Sequence, residues 1–305
     1  MDTRHAVVVG VDGSPASDQA LDWAAAETVR RGSWLTVVSA YEMVTAPGPA
    51  AFGIGADELH RGAQANVWRA LARMDGARER GCVVPDAADV TGEVVHGDPA
   101  GVLVDLSASS DLVVVGRHGY NVLDRLVLGS VSAAVSAQAR GPVVVVPDDP
   151  IAAQSRCPAD EVGPVWRVVA AVDFDDHLSR VLGQAFEEAH HAQVPLLVVH
   201  ALDRDRAAVE HAYESAWVRG YRDEAVAALH DELVRWQDKY PRVTWSTVVE
   251  RGRPVDLLTS TVQRRDLLVV GGRRHAPITG RILRSVADRV GRDAGCPVVV
   301  VHQQP

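Results

Sequence analysis

The feature that most constrains this chain is an internal repeat. Ala6-Val-Val-Val-Gly-Val-Asp12 matches Val168-Val-Ala-Ala-Val-Asp173, and Leu35-Thr-Val-Val-Ser-Ala40 matches Leu196-Leu-Val-Val-His-Ala201 at the same offset. Gly97-Asp-Pro99 then matches Gly252-Arg-Pro254, Asp111-Leu-Val-Val-Val-Gly116 matches Asp266-Leu-Leu-Val-Val-Gly271, and Gly141-Pro-Val-Val-Val-Val146 matches Cys296-Pro-Val-Val-Val-Val301. The offset changes once, between the second and third matches, so the copies differ in length there. Similarity in one constant order identifies a duplicated structural unit. Between the copies, 148–164 is rich in Pro, acidic and small residues, which is linker chemistry. The expected organisation is therefore a first domain over 1–147, a linker over 148–164 and a second domain over 165–305.

Within the first copy, short Val-rich runs occur at 6–12, 35–40, 90–96, 111–116 and 143–146. They are nearly continuous in apolar residues rather than alternating, as expected of strands covered on both faces of a parallel sheet. The longer mixed stretches at 15–31, 57–80, 99–109 and 123–139 read as helices. Ser14-Pro15 supplies an N-cap and first-turn proline, and Gly32 a C-cap. Strands alternating with helices predict an α/β fold: two tandem Rossmann-like domains, each an open five-stranded parallel sheet with helices on both faces. Ligands in such sheets sit outside the carboxyl ends of the strands.

Composition excludes several functions. The net charge of −9 and pI near 5.7 argue against a nucleic-acid partner, which needs a basic surface. Cys82, Cys157 and Cys296 lie far apart without metal-ligand spacing, so neither a disulfide framework nor a zinc site is expected. No run approaches the roughly 20 apolar residues of a bilayer span. Nor is there a leader-like apolar segment at the start, and the expected location is cytoplasmic. The 12 histidines are scattered. The neighbours His190 and His191 point apart on a helix and read as surface. Arg69, Arg73, Arg78 and Arg80 read as a solvated helix face, and Trp68 and Trp236 as packing residues. No acid/base pair or catalytic residue is nominated.

The informative segment follows the fourth strand: Gly116-Arg-His-Gly119, then Gly129-Ser130-Val131-Ser132 at the start of a helix. Glycines admit close backbone approach, and main-chain N–H groups at a helix start favour an anion. There is no lysine here, so this is not a Walker A loop. The spacing Gly116-x2-Gly119-x9-Gly129-Ser130 resembles the ATP-binding pattern of the universal stress protein family. Val9-Gly-Val-Asp12-Gly-Ser14, Gly97-Asp-Pro99 and Gly141-Pro142 resemble other parts of that family. The resemblance covers both copies outside the linker and the variable second-helix region.

It implies an ATP-binding, non-catalytic regulator of stress responses. ATP or a related adenine nucleotide would be the ligand, with Mg as a companion ion. Gly10, Val11, Asp12 and Ala40 would surround adenine and ribose. Val115, Gly116, Arg117, Gly119, Gly129, Ser130, Val131 and Ser132 would hold the phosphates. The second copy keeps Asp173, Gly271 and Ser285 as counterparts but has Arg274 and Arg284 at glycine positions. Either these side chains would fill the phosphate space, or Arg273, Arg274, Arg281 and Arg284 would bind an anion directly. The family also implies that the Val-rich final strands pair with another copy, within the chain or in a homodimer. A slow ATPase, or a scaffold with a vestigial loop, are the competing readings.

Overall fold

The computed structural model describes residues 6–43, 55–117, 129–148, 165–202, 214–272 and 286–302. The chain divides into two compact units, Met1–Gly163 and Pro164–Gln303.

In the first unit the elements run β1 (Ala6–Gly10), α1 (Pro15–Arg31), β2 (Trp34–Tyr41), α2 (Ala56–Glu79), β3 (Val90–His96), α3 (Pro99–Leu106), β4 (Leu112–Gly116), α4 (Ser130–Gln138) and β5 (Val143–Val146). The strands are all parallel, in the order β3-β2-β1-β4-β5. Val7, Val8 and Val9 are each 0% exposed, so β1 is covered on both faces, as its unbroken valine run requires. Because successive side chains alternate, Val8, Val113, Val115, Val143 and Val145 meet Leu103, Val135 and Ala139 of the α3 and α4 layer. Helices α1 and α2 pack on the other face.

The chain builds outward from β1 to β3, then returns to place β4 on the other side of β1. The adjacent carboxyl ends of β1 and β4 are thus the point where winding reverses, and connections leave them toward opposite faces.

Local chemistry sets the helix limits. Ser14 caps α1 by accepting from the Ser17 N–H at 3.2 Å, with Pro15 at the first turn. Gly32 closes it in the left-handed region at φ 60°. Asp98 caps α3, accepting from the Gly101 N–H at 2.8 Å. Helix α2 is fastened to α1 by a two-pronged ion pair: Arg73 donates to Asp22 at 2.9 and 2.6 Å. Asp22 is only 8% exposed. Arg78 meets Asp75 and the Pro85 carbonyl. The expected solvated arginine face is therefore in part an inter-helix clamp. Trp68 lies outside the core, 66% exposed, contrary to the packing role its size suggested.

The second unit repeats the plan: β6 (Arg167–Val172), α5 (Leu178–Ala192), β7 (Leu196–Leu202), α6 (Glu214–Lys239), β8 (Trp245–Arg251), α7 (Pro254–Thr261), β9 (Asp266–Gly272), α8 (Val286–Asp293) and β10 (Val298–His302). Its parallel order is β8-β7-β6-β9-β10. Trp236 does pack as expected, stacked on Phe186 with centroids 6.3 Å apart. Cys82 is disulfide-bonded, which the cysteine spacing does not predict, while Cys296 is a buried thiol. Among the described residues, no helix is long and apolar enough to cross a membrane.

One contact fixes α1 against the sheet. A Cβ built on Gly116 would lie 2.6 Å from the Ala16 carbonyl oxygen and 2.7 Å from its carbon. The obstacle is backbone, so it cannot rotate away. Gly116→Ala is expected to lower stability by roughly 1–3 kcal/mol, read as a drop in the urea midpoint. An unchanged midpoint would mean that α1 can lift off β4 at no cost.

Candidate functional site

The crevice begins where β1 gives way to α1. Gly10 ends the strand beneath Leu103, whose Cδ1 is 2.9 Å from where a Cβ would stand. Val11 is buried, and its N–H is spent on the Val38 carbonyl at 2.8 Å. Asp12 is exposed, and its Oδ1 accepts from the Ser14 N–H at 2.9 Å, tightening the turn into α1. Gly13 sits at φ 85°, a region closed to most side chains. Ala40 lies half-buried near the end of the neighbouring β2.

The other wall is the end of β4 and the start of α4. Val115 is buried and Gly116 abuts Ala16. Arg117 gives its N–H to the Val146 carbonyl at 2.9 Å and receives the Gly129 N–H on its own carbonyl at 2.9 Å. The start of α4 is thereby pinned to the strand beside β1. Gly119 lies outside the described residues. Gly129 is the N-cap of α4 and makes no side-chain cap hydrogen bond. The first-turn amides of Ser130, Val131 and Ser132 therefore lack the cap that Ser14 supplies to α1. Ser130 is exposed and Val131 half-buried.

Ser132 behaves differently from its neighbour. It is 3% exposed, and its hydroxyl lies 3.0 Å from the Arg117 carbonyl and 3.0 Å from that of Gly129. Its proton serves the backbone at Arg117 and Gly129, so its main contribution is to tie the start of α4 to the end of β4.

Among the described residues, α1 and α2 bring charged groups to this turn. Burial pushes the Asp18 carboxyl above its usual range, against the opposing pull of Arg73 and Arg69, while Asp12 adds to the rise. Burial also raises Asp22, offset by its bond to Arg73. The Arg69 guanidinium lies directly against Gly13, with the Asn66 side-chain oxygen beside it. The Asn66 amide donates to the Ser39 hydroxyl at 3.4 Å. Neither Asn66 nor Arg69 emerges from sequence reasoning. They stand more than fifty positions from Gly13, and only the packing of α2 on α1 brings them there. The glycine of Asp12-Gly13 is the one signal that something approaches that backbone.

The second unit has the same strand register, with Ala170 opposite Val198 as Val9 is opposite Val37. Its crevice is built differently. Asp173 is exposed, and its Oδ1 accepts from the Phe174 N–H at 2.9 Å. Phe174 stands in the place of Gly13 and His200 in that of Ser39. Their rings pack edge to face with centroids 4.9 Å apart, and His200 Nδ1 is held by the Val172 carbonyl at 3.0 Å. His200 is 4% exposed. Asp175 replaces Ser14 and accepts from the His177 N–H at 2.9 Å. Gly271 packs under His177, whose Cβ would be 3.2 Å from an added Cβ. Asp173 and Gly271 thus keep their places at the strand ends, but an aromatic pair stands beside Asp173. Ser285, Arg273, Arg274, Arg281 and Arg284 lie outside the described residues. Among the described residues, no group of three or more His, Cys, Asp or Glu is placed to hold a metal.

Ser132→Ala is expected to cost about 1 kcal/mol of stability, measured by urea unfolding. Retention of the wild-type midpoint would show that the Arg117–Gly129 backbone bond suffices alone.

The model of the universal stress protein family matches residues 3–147 and 166–302. A universal stress protein of Mycobacterium tuberculosis is 32% identical over 305 residues, covering 98% of each chain. One from Mycolicibacterium smegmatis is 31% identical over 308 residues, again covering 98% of each. Among solved structures, a universal stress protein of Archaeoglobus fulgidus superposes with a TM-score of 0.63 at 18% identity, covering 98% of both chains. That likeness concerns the fold.

Proposed function

The chain belongs to the universal stress protein family, and from that premise we propose that its first unit binds ATP or a related adenine nucleotide as a non-catalytic, nucleotide-dependent regulator in the cytoplasm. The observation that carries this reading is the start of α4. A glycine N-cap without a side-chain bond leaves first-turn amides for an anion, and the Arg117–Gly129 bond holds that turn at the end of β4, next to the strand that leads into the Asp12 turn. The phosphates would take the amides of Ser130, Val131 and Ser132 with the Ser130 hydroxyl. The Asp12 carboxylate would accept from the ribose. Binding would bias the start of α4 and the residues on either side of it, which is how occupancy would reach a protein partner.

In the second unit, the Phe174–His200 pair stands at the turn where a nucleoside would have to sit, so one nucleotide per chain is the expected stoichiometry. This favours the reading in which the second copy has lost its ligand. It leaves Asp173 and Gly271 as structural residues.

Calorimetry with ATP on the full chain is expected to give one site. Ser130→Pro removes a first-turn N–H and the hydroxyl together, while Gly129 at φ −57°, ψ 152° already suits a following proline. That variant should weaken ATP binding at least tenfold, as should Asp12→Ala. Two sites per chain would contradict the assignment of the second unit. Absence of ATP binding would favour the scaffold reading, and turnover above about 1 per second would make the protein an enzyme.

A further inference from the structure

Arg69 is the α2 arginine whose placement the fold does not explain. Arg73 is spent on Asp22, and Arg78 on Asp75 and the Pro85 carbonyl. Arg69 is exposed and lies against Gly13, and the carboxylate it acts on is Asp18. Any side chain at position 13 would collide with this guanidinium and with the Asn66 oxygen, which is 2.6 Å from where a Cβ would stand. The close approach is therefore specific to Gly13. The second unit, with Phe174 at that position, cannot reproduce it.

On the nucleotide reading above, we propose that Arg69 is a specificity-determining residue of the first unit's site, receiving the purine base of the nucleotide on its guanidinium plane. Two features select the base over the phosphates. The guanidinium stands on the α1 and α2 face, whereas the amides assigned to phosphate belong to α4 on the opposite face of the sheet. Its surroundings are also acidic. Asp12 and Arg69 both act on Asp18. A polyphosphate at this spot would face both carboxylates, while a neutral purine would not. A planar, weakly hydrated cation suits a π face and the acceptor atoms of a base edge. Asn66, held toward Ser39, would present its amide to the same edge.

The test compares ATP with adenosine, which has the base but no phosphate. Arg69→Ala is expected to weaken both by a similar factor, about fivefold to thirtyfold. Arg69→Lys, which keeps the charge but loses the plane, should restore only part. The urea midpoint of Arg69→Ala should fall only slightly, because the exposed side chain loses no more than its share of the pull on Asp18, which Arg73 also supplies. Loss confined to ATP would overturn the proposal in favour of a phosphate contact. Unchanged affinity for both ligands, while Ser130→Pro still loses ATP, would overturn it and leave the nucleotide site intact. A wild-type chain that binds neither ligand overturns the nucleotide reading and this proposal together.

Discussion

Everything at the candidate site depends on how closely the end of β4 approaches the first turn of α1. The Gly116 backbone rests on the Ala16 carbonyl with no room for a side chain. That contact sets how far the carboxyl ends of β1 and β4 lie from the helix between them. Parallel pairing does the rest. The Val9–Val114 register puts Asp12 and Arg117 just beyond the ends of neighbouring strands, and the Arg117–Gly129 bond brings α4 alongside. A crevice made in this way is a property of the backbone. Its side chains tune it but do not create it.

The two units show how far tuning can go on an unchanged frame. Strand order and register agree between them, yet one turn carries Gly13 under an arginine and the other carries Phe174 against His200. The cap does not survive the change from Ser14 to Asp175: Asp175 accepts from the His177 N–H, one residue ahead of the helix, and α5 begins without a side-chain cap. The open turn does not survive a change from glycine to phenylalanine, because the ring needs the volume that the backbone had left.

Much of this was legible in the sequence. Unbroken valine runs announce strands buried on both faces, and the repeat announces two copies. Ser14-Pro15 and Gly32 mark both ends of α1, because caps and turns are decided by neighbours in the chain. What the sequence hid came from contacts between distant segments. The arginines of α2 look like a solvated face when only helical spacing is considered, since nothing local reveals that Asp22 waits across the helix pair. Trp68 looks like core by size, but its place on α2 faces outward. Ser132 looks like a ligand to phosphate by position. Its burial and the two carbonyls beside it give the hydroxyl an internal task. The disulfide at Cys82 is invisible for the same reason: spacing along the chain says nothing about proximity in space.

The aromatic pair of the second unit also ties two distant positions together. His200 is 4% exposed, and Phe174, which keeps 42% of its own surface in solvent, covers one side of its ring. Shortening Phe174 would therefore wet an imidazole that now sits dry, while shortening His200 would leave the phenyl ring without the neighbour it rests on. Neither residue of this turn can be exchanged as though the other were absent.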